Sequence, residues 1–318
     1  MQTKRRIIAG KIEDEEGTPE ALTAAETGIL VTNPQYTPDI KMLPREVLLA
    51  TFSKLPDLSG ARMASISFSA EVMGRGVAYA ANVLPRLDPY YRACGLVPEI
   101  DVTPGAEKVT YKRASANIPS MTLAFLDDDD EGGAVVKKIA GARGNVKFRA
   151  TTGGQLFADI NFMGVYLDVA DGAQLVASYD DVMPPQLLAA QFALGAFAPS
   201  INSFEIDLGN KVAGIPDMNA ASGYKAFRIT DGDTRGRFDP EAVKVATYDY
   251  YGKWKAGLTG VLSIGAFGPA QYNKVKITAP KLVTTKVAEG EREGQQINNV
   301  EFQLAMNAGD DEFVLEFS

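Results

Sequence analysis

The chain has 318 residues, 46% of them hydrophobic and 23% charged, a balance that suits a folded protein and excludes a disordered or low-complexity one. Lys and Arg total 32 against 40 Asp and Glu, for a net charge of −8, so like-charge repulsion argues against a nucleic-acid coat or an anionic membrane surface as partner. Histidine is absent and Cys94 is the one cysteine, which removes His-activated nucleophiles, His or thiolate-cluster zinc sites and internal disulfides.

Basic residues open the chain with no sustained apolar stretch behind them, so a soluble protein made in the cytoplasm, without signal peptide or membrane contact, is expected. The acidic stretch 13–20 reads as an arm outside the core. From Ile29 onward short apolar or alternating runs are punctuated by Pro, Gly, Asn and Asp, which is the texture of β-strands. Strands are expected over 29–31, 47–52 and 64–72, the last alternating Ile66, Phe68, Ala70 and Val72 against Ser65, Ser67, Ser69 and Glu71. Residues 78–83 and 85–94 read as helices, the second closed by Gly95. Cys94, inside that second stretch, reads as apolar packing rather than a reactive thiol.

Further strands are expected over 108–113, 121–126, 135–139, 144–150, 157–167 and 174–178. The run Asp127-Asp128-Asp129-Asp130-Glu131-Gly132-Gly133 lacks the alternating ligand spacing of a calcium loop and reads as a hairpin tip. Gly141-Ala142-Arg143-Gly144 lacks the spacing of a phosphate-cradling loop. No catalytic constellation emerges, so no enzyme activity, cofactor or metal is expected.

A break in periodicity at 179–185 divides the chain into expected domains 1–180 and 181–318. The second repeats the order of the first. Strand 204–208, the loop Gly214-Ile215-Pro216-Asp217, strand 225–230, the turn Asp231-Gly232-Asp233 and strand 236–243 echo residues 29–72. Tyr250-Tyr251, opening a short helix that ends at Gly257, echoes Tyr90-Tyr91 and Gly95, and strands 274–286 and 300–306 follow. The expected fold is all-β with minor helix: two tandem β-sandwich or half-barrel domains, each with one short helix.

Several short segments carry a family resemblance by their order. They are Thr32-Asn33-Pro34-Gln35-Tyr36-Thr37-Pro38 with the 24–31 stretch before it, the Tyr90–Gly95 helix end, Ala140-Gly141-Ala142-Arg143-Gly144-Asn145-Val146 and Phe162-Met163-Gly164-Val165-Tyr166. The second half adds Gly195-Ala196-Phe197-Ala198-Pro199-Ser200, Phe204-Glu205-Ile206-Asp207-Leu208-Gly209-Asn210, Ala279-Pro280-Lys281-Leu282 and the ending Gly309–Phe317. Together they resemble the tail tube (major tail) proteins of long-tailed, non-contractile bacteriophages, over nearly the whole chain from about Thr18.

The resemblance implies a structural subunit of the virion tail, assembled in the host cytoplasm, whose rings stack into a channel through which viral DNA passes without specific binding. Partners would be other copies of itself and the tape measure, tail terminator and distal tail proteins. A true duplication favours trimeric rings of pseudo-sixfold symmetry over hexameric ones. Ring stacking is expected of apolar, Pro-broken segments: Lys41, Met42, Leu43, Pro44 and Arg45; Lys54, Leu55, Pro56 and Asp57; and in the second half Gly214, Ile215, Pro216, Asp217 and Met218. Asp159, Asn161, Glu301 and Gln303 alternate with apolar neighbours and are candidates for the lumen, where Lys147 and Arg149 compete for the same sheets. The alternative is a β-rich carbohydrate-binding or glycoside-cleaving tail or surface protein.

Overall fold

Alternation of side chains decides the architecture. A computed structural model describes residues 5–129 and 131–318; Asp130 of the acidic run, and the opening residues 1–4 with Lys4 of the basic start, lie outside the described residues. The first half contains β1 (Arg6–Ile12), β2 (Val31–Leu43), β3 (Leu58–Glu71), helix α1 (Asp88–Ala93), β4 (Leu96–Asp101), β5 (Lys108–Arg113), β6 (Met121–Asp128), β7 (Gly133–Thr151), β8 (Phe157–Tyr166) and β9 (Ala170–Ala173). The second half contains β10 (Ala193–Leu194), β11 (Ile201–Asp207), β12 (Asn210–Pro216), β13 (Tyr224–Gly232), β14 (Arg235–Pro240), helix α2 (Tyr250–Ala256), β15 (Thr259–Phe267), β16 (Val275–Arg292), β17 (Gln295–Ala305) and β18 (Val314–Phe317). The protein is all-β with minor helix.

In β3 the residues Ala64, Ile66, Phe68 and Ala70 are buried while the serines between them are not. In β8 Ala158, Ile160 and Phe162 repeat the pattern, and in β17 Val300, Phe302 and Leu304 do so. A period of two can bury only one face, so these strands line up as a sheet with one dry and one wet side. The sheet runs β2-β3-β8-β7-β11-β14-β17-β16. It consists of two four-stranded units of the same order, β2-β3-β8-β7 and β11-β14-β17-β16, joined where β7 pairs antiparallel with β11, Phe148 opposite Ile206.

A second layer covers the dry side. There β1 pairs with β6 and β6 with the first part of β7, while β16 continues through β18 and β5 to β4. β18 therefore lies between a strand of the second half and one of the first. Both β7 and β16 serve both layers, bending at irregularities between Ala140 and Arg143 and between Thr284 and Lys286. In β7 the bend falls at Gly141, whose φ of 58 suits a residue without Cβ.

Between the layers lies one continuous core drawn from both halves. Tyr91 of α1 packs edge-on against Tyr111, Tyr111 against Phe317, and Phe148 stacks on Phe313 at 5.3 Å. Residues of β5, β7, α1 and the C-terminal segment thus share one aromatic cluster. Gly236 sits in the register row Ile206, Gly236, Phe302. A Cβ there would lie 2.3 Å from the Phe302 ring, so the missing side chain is the space that ring occupies.

Several expected elements differ. Residues 47–52 form no strand: among the described residues the run pairs with no other segment, and Leu48 and Phe52 are fully exposed. The expected helix over 78–83 is a tight turn with a bridge between Ala80 and Val83. It is held by Tyr79, which is buried and donates its hydroxyl to Tyr272 O at 2.6 Å. Residues 135–139 and 144–150 are one strand through the bend, and 174–178 is not a strand, β9 having formed over the preceding small residues. The loop expected at Gly214, Ile215, Pro216 and Asp217 is strand as far as Pro216, which the two-stranded ribbon β12–β13 accommodates beside a register irregularity. Likewise Lys41, Met42 and Leu43 end β2 rather than open a loop, paired toward Ser59 and Leu58. The opening segment is no mere arm: Ile8 and Ala9 of β1 are buried, and so is Glu13.

Phe148→Ala is expected to cost about 3–5 kcal/mol in urea unfolding, as for a large side chain removed from a packed core. Phe52→Ala at the exposed connection is expected to stay within about 0.5 kcal/mol. Equal losses at the two sites would contradict this assignment of the core.

Candidate assembly surfaces

Three surfaces and one buried polar cluster stand out. The first is the wet face of the eight-stranded sheet. Asp159 and Asn161 project from β8 and Glu301 and Gln303 from β17 on that side, opposite buried neighbours. The cations of the same face meet them. Arg149 Nε lies 2.6 Å from Asp159, which also accepts from Ser69 Oγ. Lys286 Nζ lies 2.9 Å from Glu301. Glu205, at the joint of the two units, accepts from Arg237 at 2.9 Å and faces Lys147 at 3.4 Å. Gln303 donates to Asp233 at 2.8 Å, and Asn161 stands opposite Ser67 and Asn145 in register. Asp159, Glu205 and Glu301 are thus matched by Lys147, Arg149, Arg237 and Lys286, making the face a lattice of cross-strand ion pairs rather than a bare acidic wall. Over the joint this face sinks into a polar trough of about 630 Å³ lined in part by Arg149, Glu205, Arg237 and Glu301.

The second surface is the pair of sheet edges. Among the described residues β2 pairs only with β3, and beyond Val283 the strand β16 pairs only with β17. Each therefore presents a row of backbone donors and acceptors to its outside.

The third is the long hairpin β2–β3 with its connection 44–57. Met42 and Leu43 at the strand end are 53% and 42% exposed, Leu48 and Phe52 wholly so. Pro44, Arg45, Lys54, Pro56 and Asp57 are exposed as well, while Leu55 is half-buried. The counterpart ribbon β12–β13 behaves differently and lies down on the first half. Arg62 N donates to Ser222 O at 2.8 Å and Arg62 Nη2 to Ala221 O at 3.2 Å. A Cβ on Gly214 would meet the rings of Tyr224 and Phe227, so that residue is part of the ribbon's packing. Met218 at the ribbon's tip remains fully exposed and Ile215 half-buried.

The fourth is a polar knot that the sequence pattern did not reveal. The buried Glu13 carboxylate accepts from Ser120 Oγ, Thr122 Oγ1, Gly17 N and Gly141 N. Next to it Glu16 accepts from Arg228 at 2.6 Å and from Arg143 at 2.7 Å, and Arg143 also donates to Phe227 O and Ile118 O. The knot ties the opening segment, the bend of β7 and the β12–β13 ribbon together. Hydrogen bonding from Arg228, reinforced by Arg143 against the opposing effect of burial, holds the Glu16 carboxyl at about 2, below the usual 4.5.

Asp127 of the acidic run is engaged by Arg6 at 2.8 Å and by Lys137, and Asp128 by Arg5 at 2.7 Å. Asp129, past the end of β6, accepts from Gly133 N at the start of β7 at 2.8 Å. Cys94 is wholly buried at the end of α1, and burial pushes its thiol up, away from the thiolate. Among the described residues no cluster of three or more acidic or thiol groups is placed to hold a metal ion, and no helix is long and apolar enough to cross a membrane. No known protein-family model matches the chain, and no curated protein matches it at a significant level.

Because the Glu16 carboxyl is depressed on folding, its contribution is complete above about 4.5 and is lost as pH falls through about 2. Glu16→Gln is therefore expected to lower the melting temperature at pH 7, with the gap to the parent protein closing as the pH is taken down toward 2. Parallel melting curves against pH would contradict the ion-pair role. A thiol reagent is expected to leave Cys94 unmodified in the native protein and to react fully once denaturant unfolds it.

Proposed function

We propose that the chain is a structural subunit that joins its own copies edge to edge into a closed ring, the rings stacking into a tube of the phage-tail kind. The observation that carries this reading is the β7–β11 joint. Within one chain, the last strand of one four-stranded unit already pairs with the first strand of the next. The two edges left over are of the same two kinds: β2 is the first strand of its unit and β16 the last of its own. A joint of that form between chains is heterologous, so it repeats until the ring closes. Three chains would supply six four-stranded units, which favours a trimeric ring of pseudo-sixfold symmetry over a hexameric one.

Carried over to the contact between chains, the register inside the chain supports one particular pairing. Matching Asp159 with Glu301 and Lys147 with Lys286 carries the cross-strand pair Glu205–Arg149 onto Thr32 and Ala288. In the ring the wet face would line the channel. Its cations are held by Asp159, Glu205 and Glu301, so passing phosphates meet few free positive charges and the DNA slides rather than binds. The Val31–Leu43 edge carries Pro34 and Pro38, which remove two backbone donors and confine ladder formation to a short stretch.

Oxidation of a protein carrying Thr32→Cys and Ala288→Cys is expected to yield covalent trimers on a denaturing gel, and electron microscopy is expected to show rings of uniform width. Neither single variant should cross-link, since the native Cys94 is buried. Discrete monomers at all concentrations, with glycan binding, would overturn the tube reading in favour of a carbohydrate-directed protein.

A further inference from the structure

The two poles of the eight-stranded sheet differ in a way that edge pairing does not use. At one pole the β2–β3 hairpin ends and the connection 44–57 projects, with Leu48, Leu49 and Phe52 turned to solvent. The other pole is marked by the far ends of the same strands, where Glu71 stands opposite Phe157. Just past those ends lies an apolar groove of about 900 Å³, reached by Gly76 and Gln155 from the first half and walled by Val182, Met183, Leu188 and Pro269. Phe267, which is 2% exposed, forms its floor.

The segment between the halves builds one wall of this groove, and it is fixed in place. Asn273, itself 4% exposed, accepts from Gly74 N at 2.8 Å and donates to Met183 O at 2.7 Å. Asp180 is held by Arg86 at 2.8 Å and by Arg75. Gly268 approaches Pro185 so closely that a Cβ there would lie 3.0 Å from it. The groove is therefore preformed, yet Met183 and Leu188 on its lip are 84% and 61% exposed. Large apolar side chains on the rim of a preformed concavity mark a binding surface.

We infer that this groove receives the 44–57 connection of a second copy of the chain stacked on the first. The inference rests on the ring reading above and names the contact that holds one ring on the next. Three features select this occupant. Projection and groove lie at opposite poles of one sheet, so translation along the strands brings one copy's projection to the next copy's groove, as an open stack requires. The connection of 14 residues between Leu43 and Leu58, doubled back on itself, reaches up to about 25 Å beyond the strand end. The connection is neutral overall, Arg45 and Lys54 balancing Glu46 and Asp57, and Lys54, two residues from Phe52, has in exposed Asp181 of the groove wall an acid to pair with. Phe52, with Leu48 and Leu49 beside it, is the aromatic anchor, and Met183 and Leu188 close over it.

The test separates stacking from ring closure. In protein carrying Phe52→Cys and Leu188→Cys, oxidation is expected to give a ladder of covalent multimers that neither single variant gives. Met183→Asp with Leu188→Asp changes only exposed side chains, and is expected to abolish tubes longer than one ring while circular dichroism and the Thr32–Ala288 cross-link remain unchanged. Asp181→Lys is expected to shorten tubes, with Lys54→Asp in the same chain restoring their length. Full-length tubes from the Met183→Asp, Leu188→Asp protein, or stacked rings without a Phe52–Leu188 ladder, would overturn the groove assignment and leave the ring standing. Failure of the Thr32–Ala288 link together with the absence of rings would overturn both.

Discussion

Everything in this molecule is arranged around the pairing of β7 with β11. Only residues 147–151 of the one strand meet 203–207 of the other, but they make two four-stranded sheets into one over a core drawn from both halves. A joint of this size would be weak on its own, as a few backbone hydrogen bonds contribute little net free energy each. It is held because Phe148 faces inward beside Ile206 and stacks on Phe313, so the hydrophobic effect fixes what the hydrogen bonds register. Asn210 reinforces the same seam, donating to Cys94 O and Gly144 O and accepting from Arg113.

The two units differ where their surroundings differ. In the first, the connection 44–57 between β2 and β3 stands clear and keeps Leu48 and Phe52 outside. In the second, β12–β13 folds back onto the sheet of the first unit and is clamped by Glu16 through Arg143 and Arg228. The same topological position thus serves once as a projection and once as a brace. On the wet face, acids and bases alternate across neighbouring strands, so each strand neutralises the next without any buried charge.

How much of this was legible in the sequence depended on the range of the interaction. Period-two runs such as Ser65–Val72 and the alternation around Asp159 and Glu301 are local, and strand identity and the wet face were readable from them. The αL glycines Gly95 and Gly257 likewise announced the ends of the two helices. What escaped were features set by partners far along the chain. Residues 47–52 have strand composition but pair with no strand among the described residues, and residues 78–83 have helix composition but are held in a turn by Tyr272. Glu13 looked like part of a solvated acidic run, and only its four donors, the most distant contributed by Gly141, make it a buried acceptor. The matching of Lys147, Arg149, Arg237 and Lys286 with acids depends on strand order, which composition does not encode.

The position of β18 has a consequence for biosynthesis. Val314–Phe317 closes the outer layer by lying against β16 on one side and β5 on the other, so a strand completed within the first 113 residues waits for one that ends at 317. A nascent chain emerging from the ribosome cannot finish its N-terminal half ahead of the rest. The core residues Tyr111 and Phe148 stay without Phe317 and Phe313 until translation has passed them. Such long-range closure makes folding slow but concerted. It also links the two units in time, since the outer layer of neither is closed before the last residues are made.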